Sequence, residues 1–428
     1  MTVAADKLRA HSAEFRKDVI EVTDDVYVAI GYAASNVTMI VGTDGIIVID
    51  TTESTCAAAN ILAEFRKITD LPVRAIVYTH SHRDHVSGTT VFAEGATPEI
   101  ISRSNLSPDL FRTDARPAPK EILLKRTRRQ FGMGLAEGSE RINLGIGPGD
   151  RPMEGMGAGF VPPAVIFEGD RYDLDCCGVR LELHAAPGET EDQLVAWLPD
   201  RKVLFCGDSF YKSFPNLYAI RGTRYRDFDA WSDTLDRLMR FDADHLVPGH
   251  SRPVRGSDTI RERLADYRDA IRAVIAQTAD AMNRGLTPDE IAETVHLPDA
   301  LAARPHLQEF YGTVAWSARA YFAGTVGWFD GNPTNLFPTP PAERARRIAD
   351  LAGGASVLLD RARQAAADGA HQWAMELADL VIALETNAAE ATSIKIDCLT
   401  ALAETQVNAT ARNYYLVCAK ELRDVQET

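Results

Sequence analysis

Thr79-His80-Ser81-His82-Arg83-Asp84-His85 follows directly on the apolar run Val73-Arg74-Ala75-Ile76-Val77-Tyr78, and the reading of this stretch decides the fold. The apolar run has the length and composition of a buried strand, and the polar cluster marks its C-terminal end. Side chains two apart on an extended segment point the same way, so His80 and His82 can pinch one ion. Asp84 and His85 follow where the chain must turn into a helix, and they can face a second ion beside the first. Imidazole and carboxylate donors suit zinc, with manganese or iron as alternatives. The competing explanation is a polar loop with solvated histidines. Four potential ligands so close together behind a buried strand are hard to explain as packing.

Working outward, 428 residues exceed one ordinary core and predict two or three domains. Apolar residues at 45% and charged residues at 25% are the proportions of a globular chain. A formal charge of −15 argues against nucleic acid and anionic membrane as partners. An anionic substrate would then need a local basic pocket. The N-terminus has no apolar signal region, and no stretch approaches the ~18 apolar residues of a membrane span. Cys56, Cys176, Cys177, Cys206, Cys398 and Cys418 lack metal-type spacing. They read as reduced thiols, which predicts a cytoplasmic protein.

Residues 20–100 read as strands, then a helix, then the motif-bearing strand. Val26 to Ile30, Val37 to Val41 and Ile46 to Asp50 are strands, the last two joined at an Asp44-Gly45 corner. A helix fits Ser54 to Lys67, with Ser54 as its cap, and another fits Val86 to Ala93. Residues 101–163 are rich in Pro, Gly and Arg with weak periodicity, which predicts a long ordered loop over the site. Strands resume at 165–167, 179–183, 193–197, 203–206 and 245–247. Two blocks of strands with helices after each predict two sheets packed face to face, covered outside by helices. Beyond 256 the chain becomes helical, with Ala374, Leu377, Ala378, Val381 and Ile382 at helical spacing. The Pro-rich segment 332–341 looks like a joint. The division expected is 1–256, with the loop 101–163, and 257–428, a helical interaction or dimerisation module.

Two metals need more ligands than the first cluster supplies. Glu189 after Ala186-Pro187-Gly188, Asp208 after Phe205-Cys206-Gly207 and His250 after Val247-Pro248-Gly249 each follow an apolar strand beside a glycine that allows a tight turn. Singly each could be a turn residue. Their order after His80 to His85 favours ligands.

With these motifs in place, residues 20–256 resemble the metallo-β-lactamase-fold hydrolases, whose αββα sandwich binds two metals at one edge. The resemblance implies that His80, His82 and Glu189 hold one metal, that Asp84, His85 and His250 hold the other, and that Asp208 bridges them. Most of that superfamily has histidine at the position of Glu189. Glutamate there, Gly145-Ile146-Gly147-Pro148-Gly149, Asn216-Leu217-Tyr218-Ala219-Ile220-Arg221-Gly222 and Gly327-Trp328-Phe329-Asp330-Gly331-Asn332-Pro333 are together similar to the zinc-dependent alkylsulfatases. That likeness implies two divalent cations, Zn2+ first among them, a helical dimerisation domain and a homodimer. Two features depart from the family. Its members usually bridge the metals with glutamate where this chain has Asp208, and they usually carry a sterol-carrier-like domain, whereas this chain ends at Thr428.

The chemistry expected is hydrolysis of a small anionic sulfate ester. Two cations sharing a water lower its pKa from near 16 towards ~7 and supply hydroxide as nucleophile. Asp84 and Asp208 are the catalytic carboxylates in this reading. Arg221, a planar five-donor fork, suits sulfate oxygens, with Asn216 as an amide donor and Arg226 completing a basic strip. His184 and His245 read as structural or supporting residues, and His11, His296, His306 and His371 as solvated or packed. Alternatives keep the metals and change the substrate to a lactone, a β-lactam or a phosphodiester. More distant ones are a di-iron redox protein and a non-catalytic binding protein.

Overall fold

A computed structural model describes residues 2–104, 106, 119–136, 138 and 140–427. Its first sheet is built from β1 (Asp18–Thr23), β2 (Val26–Ile30), β3 (Val37–Val41), β4 (Ile46–Ile49), β5 (Val73–Val77), β6 (Glu99–Arg103) and β7 (Val165–Phe167), in that spatial order. The first four strands are antiparallel hairpins and the last four run parallel. The second sheet holds β8 (Arg171–Cys176), β9 (Val179–Ala185), β10 (Leu194–Leu198), β11 (Val203–Gly207), β12 (His245–Pro248) and β13 (Val254–Arg255), in the reverse order β13 to β8.

The sheets pack face to face through Val28, Ile40, Ile47, Val77, Leu183, Phe205 and Val247. Outside the first sheet, the helix Thr55–Phe65 buries Ala58, Ile61 and Phe65 against Val48 and Ile76. Outside the second, the helices Phe228–Leu238 and Ser257–Asn283 bury Trp231, Leu235 and Tyr267 against Leu204 and Leu246. Central strands are therefore covered on both faces, which is why β4, β10 and β11 are apolar without alternation. Each fully buried large side chain contributes roughly 1.5–3 kcal/mol. The result is the expected αββα sandwich followed by helices.

Several elements differ from expectation. Residues 101–163 are not one loop: the end of β6 lies there, as does the helix Lys120–Gln130. That helix escaped notice because Ile122, Leu123 and Leu124 are contiguous rather than helically spaced among basic residues. Residues 105, 107–118, 137 and 139 of this stretch lie outside the described residues. The helix expected from Val86 to Ala93 breaks into two turns, Arg83–Val86 and Thr89–Phe92. Between them Gly88 touches the chain at Thr51, where a Cβ would stand 2.1 Å from a carbonyl oxygen. The edge strands β1 and β8, half-buried and rich in charge, gave no apolar signal.

Past β13, Val314–Val326 shares the core of Trp231 and Tyr267, so this helix is welded to the sandwich. Helices Pro341–Ala352, Ala355–Ala367, His371–Ala383, Ala388–Thr405 and Ala409–Gln426 then pack in succession around Leu358, Val381, Ile396 and Leu399. The last helix returns to the sandwich and packs on Lys120–Gln130, where Arg129 Nε donates to Glu421 Oε2 at 3.1 Å. Among the described residues no helix is long and apolar enough to cross a membrane.

Candidate metal centre

Strand ends from both sheets meet at one edge of the sandwich. Leu194 N donates to Thr79 O at 2.8 Å, joining the start of β10 to the end of β5. Gly249 N donates to Gly207 O at 2.8 Å, and Asn36 N to Gly249 O at 2.7 Å. The loops after β5, β11 and β12 thereby converge, and the donors they carry converge with them.

Two groups of ligand atoms result. His80, His82 and Asp208 form one, Asp84, His85 and His250 the other, and within each group the atoms lie within 4.8 Å of one another. Asp208 touches both: its Oδ2 is 3.6 Å from His80 Nε2 and 3.3 Å from His250 Nε2, and its Oδ1 is 3.5 Å from His85 Nε2. Asp84 Oδ2 lies 3.7 Å from His85 Nε2 and 3.5 Å from His250 Nε2. Glu189 stands beside the first group, its Oε1 3.7 Å from His82 Nδ1. The same oxygen accepts from Arg226 Nη1 at 2.7 Å.

The donor set fits divalent cations. Two ligands held 2.0–2.1 Å from a tetrahedral ion stand about 3.3 Å apart, close to the separations here. His85 Nε2, His250 Nε2, Asp208 Oδ1 and Glu189 Oε2 are all buried without a hydrogen-bond partner. Buried polar atoms are ordinarily satisfied, so four orphans in one place mark a site shaped for something that accepts lone pairs. The far sides of the rings are tied down. His85 Nδ1 donates to Asp50 Oδ2 at 2.7 Å, and His250 Nδ1 donates to Ala34 O at 2.7 Å. Asp50 also accepts from Thr79 N and Thr79 Oγ1, both at 2.8 Å, and Thr79 Oγ1 lies 3.0 Å from His80 Nδ1. Fixing Nδ1 in this way turns each Nε2 lone pair inward.

Burial and close charges shift the titrating groups of the cluster in opposite directions. Burial pushes His80 down to about 3, helped by His85. Burial also opposes a charged His250, yet Asp208 and Asp84 hold it up to about 9. Burial works against ionised Asp208 as well, but His250, His85 and His80 keep its carboxyl well below the usual range. Glu189 is pushed up to about 7 by burial in spite of Arg226.

A cavity of about 380 Å³ opens onto these residues. It is lined by the candidate ligands His82, Asp84, Glu189 and Asp208, by Arg221, Arg224 and Arg226, and by the apolar side chains of Leu123, Phe131, Met133, Ile146 and Met156. Arg221 faces the cavity, its main-chain N bonded to Gln130 Oε1 at 2.8 Å. Asn216 is buried and is not among the lining residues. Its carbonyl oxygen accepts from Arg226 Nη1 and its N–H donates to Tyr211 Oη at 2.8 Å. His184 and His245 lie elsewhere, His184 against Glu182 at 3.2 Å and edge-on to Phe241. His11 and His306 are packed, His11 stacked on Phe310 with ring centroids 3.9 Å apart.

Sequence reasoning did not single out Asp50, Thr79, Glu53 or Arg151. Asp50 had a signal, since it is an acid ending an apolar strand just as Asp208 does. Glu53 and Arg151 had none, because their pairing joins segments far apart in the chain.

Comparison with known proteins gives a consistent likeness. Residues 30–250 match the metallo-beta-lactamase superfamily, and residues 287–425 match the alkyl sulfatase dimerisation family. A linear primary-alkylsulfatase from Pseudomonas sp. is 38% identical over 392 residues, covering 90% of this chain and 73% of that protein. The alkyl/aryl-sulfatase BDS1 of Saccharomyces cerevisiae is 30% identical over 415 residues, covering 95% of this chain and 64% of its own length. The solved structure of the stereoselective inverting sec-alkylsulfatase Pisa1 from Pseudomonas sp. superposes with a TM-score of 0.87 at 29% identity, over 95% of this chain and 66% of that one. The chain thus spans 64% to 73% of the length of these relatives.

Proposed function

The chain belongs to the alkylsulfatase family of the metallo-β-lactamase superfamily, and from that premise we propose that it hydrolyses sulfate esters of small alcohols at a dinuclear metal site. The observation that carries this reading is the cavity itself, which is lined by candidate metal ligands, by arginines and by apolar side chains, in a chain of net charge −15. The arginines match the charged head of a sulfate ester, and the apolar side matches its alcohol part.

In this proposal His80, His82 and Glu189 would hold one cation, Asp84, His85 and His250 would hold the other, and Asp208 would contribute to both. Zinc is the metal that the imidazole-rich set suits best. Bound divalent cations would acidify water and neutralise the ester's charge. The chain's own residues do the rest. Arg221 and Arg226 bind and orient the sulfate oxygens, and Asn216 acts through its carbonyl by holding Arg226. Glu189, paired to Arg226 at 2.7 Å, couples the anion clamp to the metal-binding residues. The side chains of Leu123, Phe131 and Met156 seat the alkyl part and exclude water from the head group.

We further propose a cytoplasmic homodimer, supported by six unpaired thiols and by the match over residues 287–425. The division at residue 256 is part of the same proposal. The helix Ser257–Asn283 would start the second part while remaining packed on the sandwich.

A panel of short alkyl sulfates, lactones, β-lactams and phosphodiesters tests the function, run with metal analysis of the purified protein. Sulfate release with about two metals per chain is expected. No sulfate from any ester would sink the reading. Hydrolysis in labelled water then locates the broken bond, since the label enters the alcohol for C–O cleavage and the sulfate for S–O cleavage.

A further inference from the structure

A second buried guanidinium faces the cavity from a different part of the chain. Arg151 lines the cavity, and its side chain is 1% exposed. Its Nε donates to Glu53 Oε1 at 2.6 Å, while its Nη1 is buried with no hydrogen-bond partner. A guanidinium cannot shed its charge, and a buried N–H group is seldom left unpaired. Glu53 neutralises the charge but leaves that η-nitrogen without an acceptor.

The position of Arg151 is built rather than incidental. The segment that follows it is strapped along the start of the helix Thr55–Phe65. Ser54 Oγ donates to Pro152 O at 2.9 Å, Thr55 N to Gly155 O at 3.3 Å, and Gly157 N to Glu53 O at 3.0 Å. Glu53 Oε1 also accepts from Ala34 N at 2.8 Å, and Ala34 O accepts from His250 Nδ1 at 2.7 Å. One short chain of bonds therefore runs from Arg151 through Glu53 and the backbone of Ala34 to His250 of the second donor group. A donor tied in this way to the metal-binding residues suits an oxygen of a group bound there.

We propose that Arg151 is a further substrate-binding residue, whose free η-nitrogen donates to an oxygen of the anionic ester group, with Glu53 as its positioning residue. The inference rests on the anionic-ester reading above. It adds a third arginine to the clamp, from a part of the chain before Arg221 and Arg226. The ligand class is a tetrahedral oxyanion, which offers enough oxygens to meet both sides at once.

The test compares metal-loaded wild type with R151K and with the double variant R151Q/E53Q, which removes both charges and leaves no buried ion uncompensated. Four quantities are read: KM and kcat for a short alkyl sulfate, the affinity for inorganic sulfate by calorimetry, and metals per chain. The double variant is expected to keep its metals, to raise KM by about tenfold or more and to weaken sulfate binding in parallel. R151K, with charge but no fork, should fall between it and wild type. It also serves alone if the double variant fails to fold. KM and sulfate affinity within twofold of wild type in the double variant, or in R151K if the double variant does not fold, would overturn the inference. So would loss of metal with unchanged sulfate affinity, which would make Arg151 a support for the His250 loop only. If wild type cleaves no sulfate ester, yet binds inorganic sulfate and the variants do not, the proposed reaction fails while the anion-binding role stands.

Discussion

Asp50 takes three hydrogen bonds from the motif it supports, two from Thr79 and one from His85 Nδ1. It adopts a left-handed backbone at φ 59°, a conformation that costs a non-glycine residue energy and persists where its surroundings enforce it. By holding the His85 proton on Nδ1, Asp50 presents Nε2 bare toward Asp84 and His250. Replacing it by asparagine keeps the size and the bond from Thr79 N but removes the charge that fixes the ring. Asp50→Asn should therefore weaken metal affinity by roughly 10–100-fold with the fold retained. Competition against a chelator of known affinity measures it, and an unchanged metal constant would show that His85 needs no such partner.

At the scale of elements, the helix Thr55–Phe65 works as an anchor for the cavity wall. Ser54 caps it, accepting from Ala57 N at 3.1 Å, and the same hydroxyl donates to Pro152 O. One side chain thus starts the helix and fastens the strap that carries Arg151. Ser54→Ala should cost about 1–2 kcal/mol, the ordinary worth of a cap plus a buried hydrogen bond. Denaturant unfolding reads the loss, and a change below about 0.3 kcal/mol would mean that water replaces both bonds at no cost. The helix Lys120–Gln130 plays the complementary part. It supplies Leu123 and Thr127 to the cavity and is braced from behind by Ala409–Gln426, so the last helix of the chain bears on the substrate wall.

At the scale of the whole molecule, the segment between Val314–Val326 and Pro341–Ala352 is exposed among the described residues. Val326, Trp328, Leu336 and Phe337 are exposed, Phe337 to 95%. Large apolar side chains clustered in one ordered segment mark a contact with another surface, and the proposed homodimer supplies it. Trp328→Glu with Phe337→Glu should yield monomers in light scattering while metal content stays at the wild-type value; a dimer that survives both changes would place the interface elsewhere. How much of this was legible beforehand follows from the range of each interaction. His80, His82, Asp84 and His85 could be read directly, because strand periodicity and a turn place neighbours in space as they are placed in sequence. Glu189, Asp208 and His250 were legible as acids or imidazoles ending apolar strands, each after a glycine. The helix Lys120–Gln130 was hidden by contiguous leucines, and the edge strands β1 and β8 by their charge. By itself the sequence determined what short range governs: the strands, the cap at Ser54, the nature of the donors and their order along the chain. Only the tertiary structure decided that Asp208 reaches both donor groups, that Asp50 and Ala34 orient the rings, and that Glu53 holds Arg151 at the cavity. Such contacts join residues whose separation is set by how two sheets close on one another, and no local spacing encodes that distance.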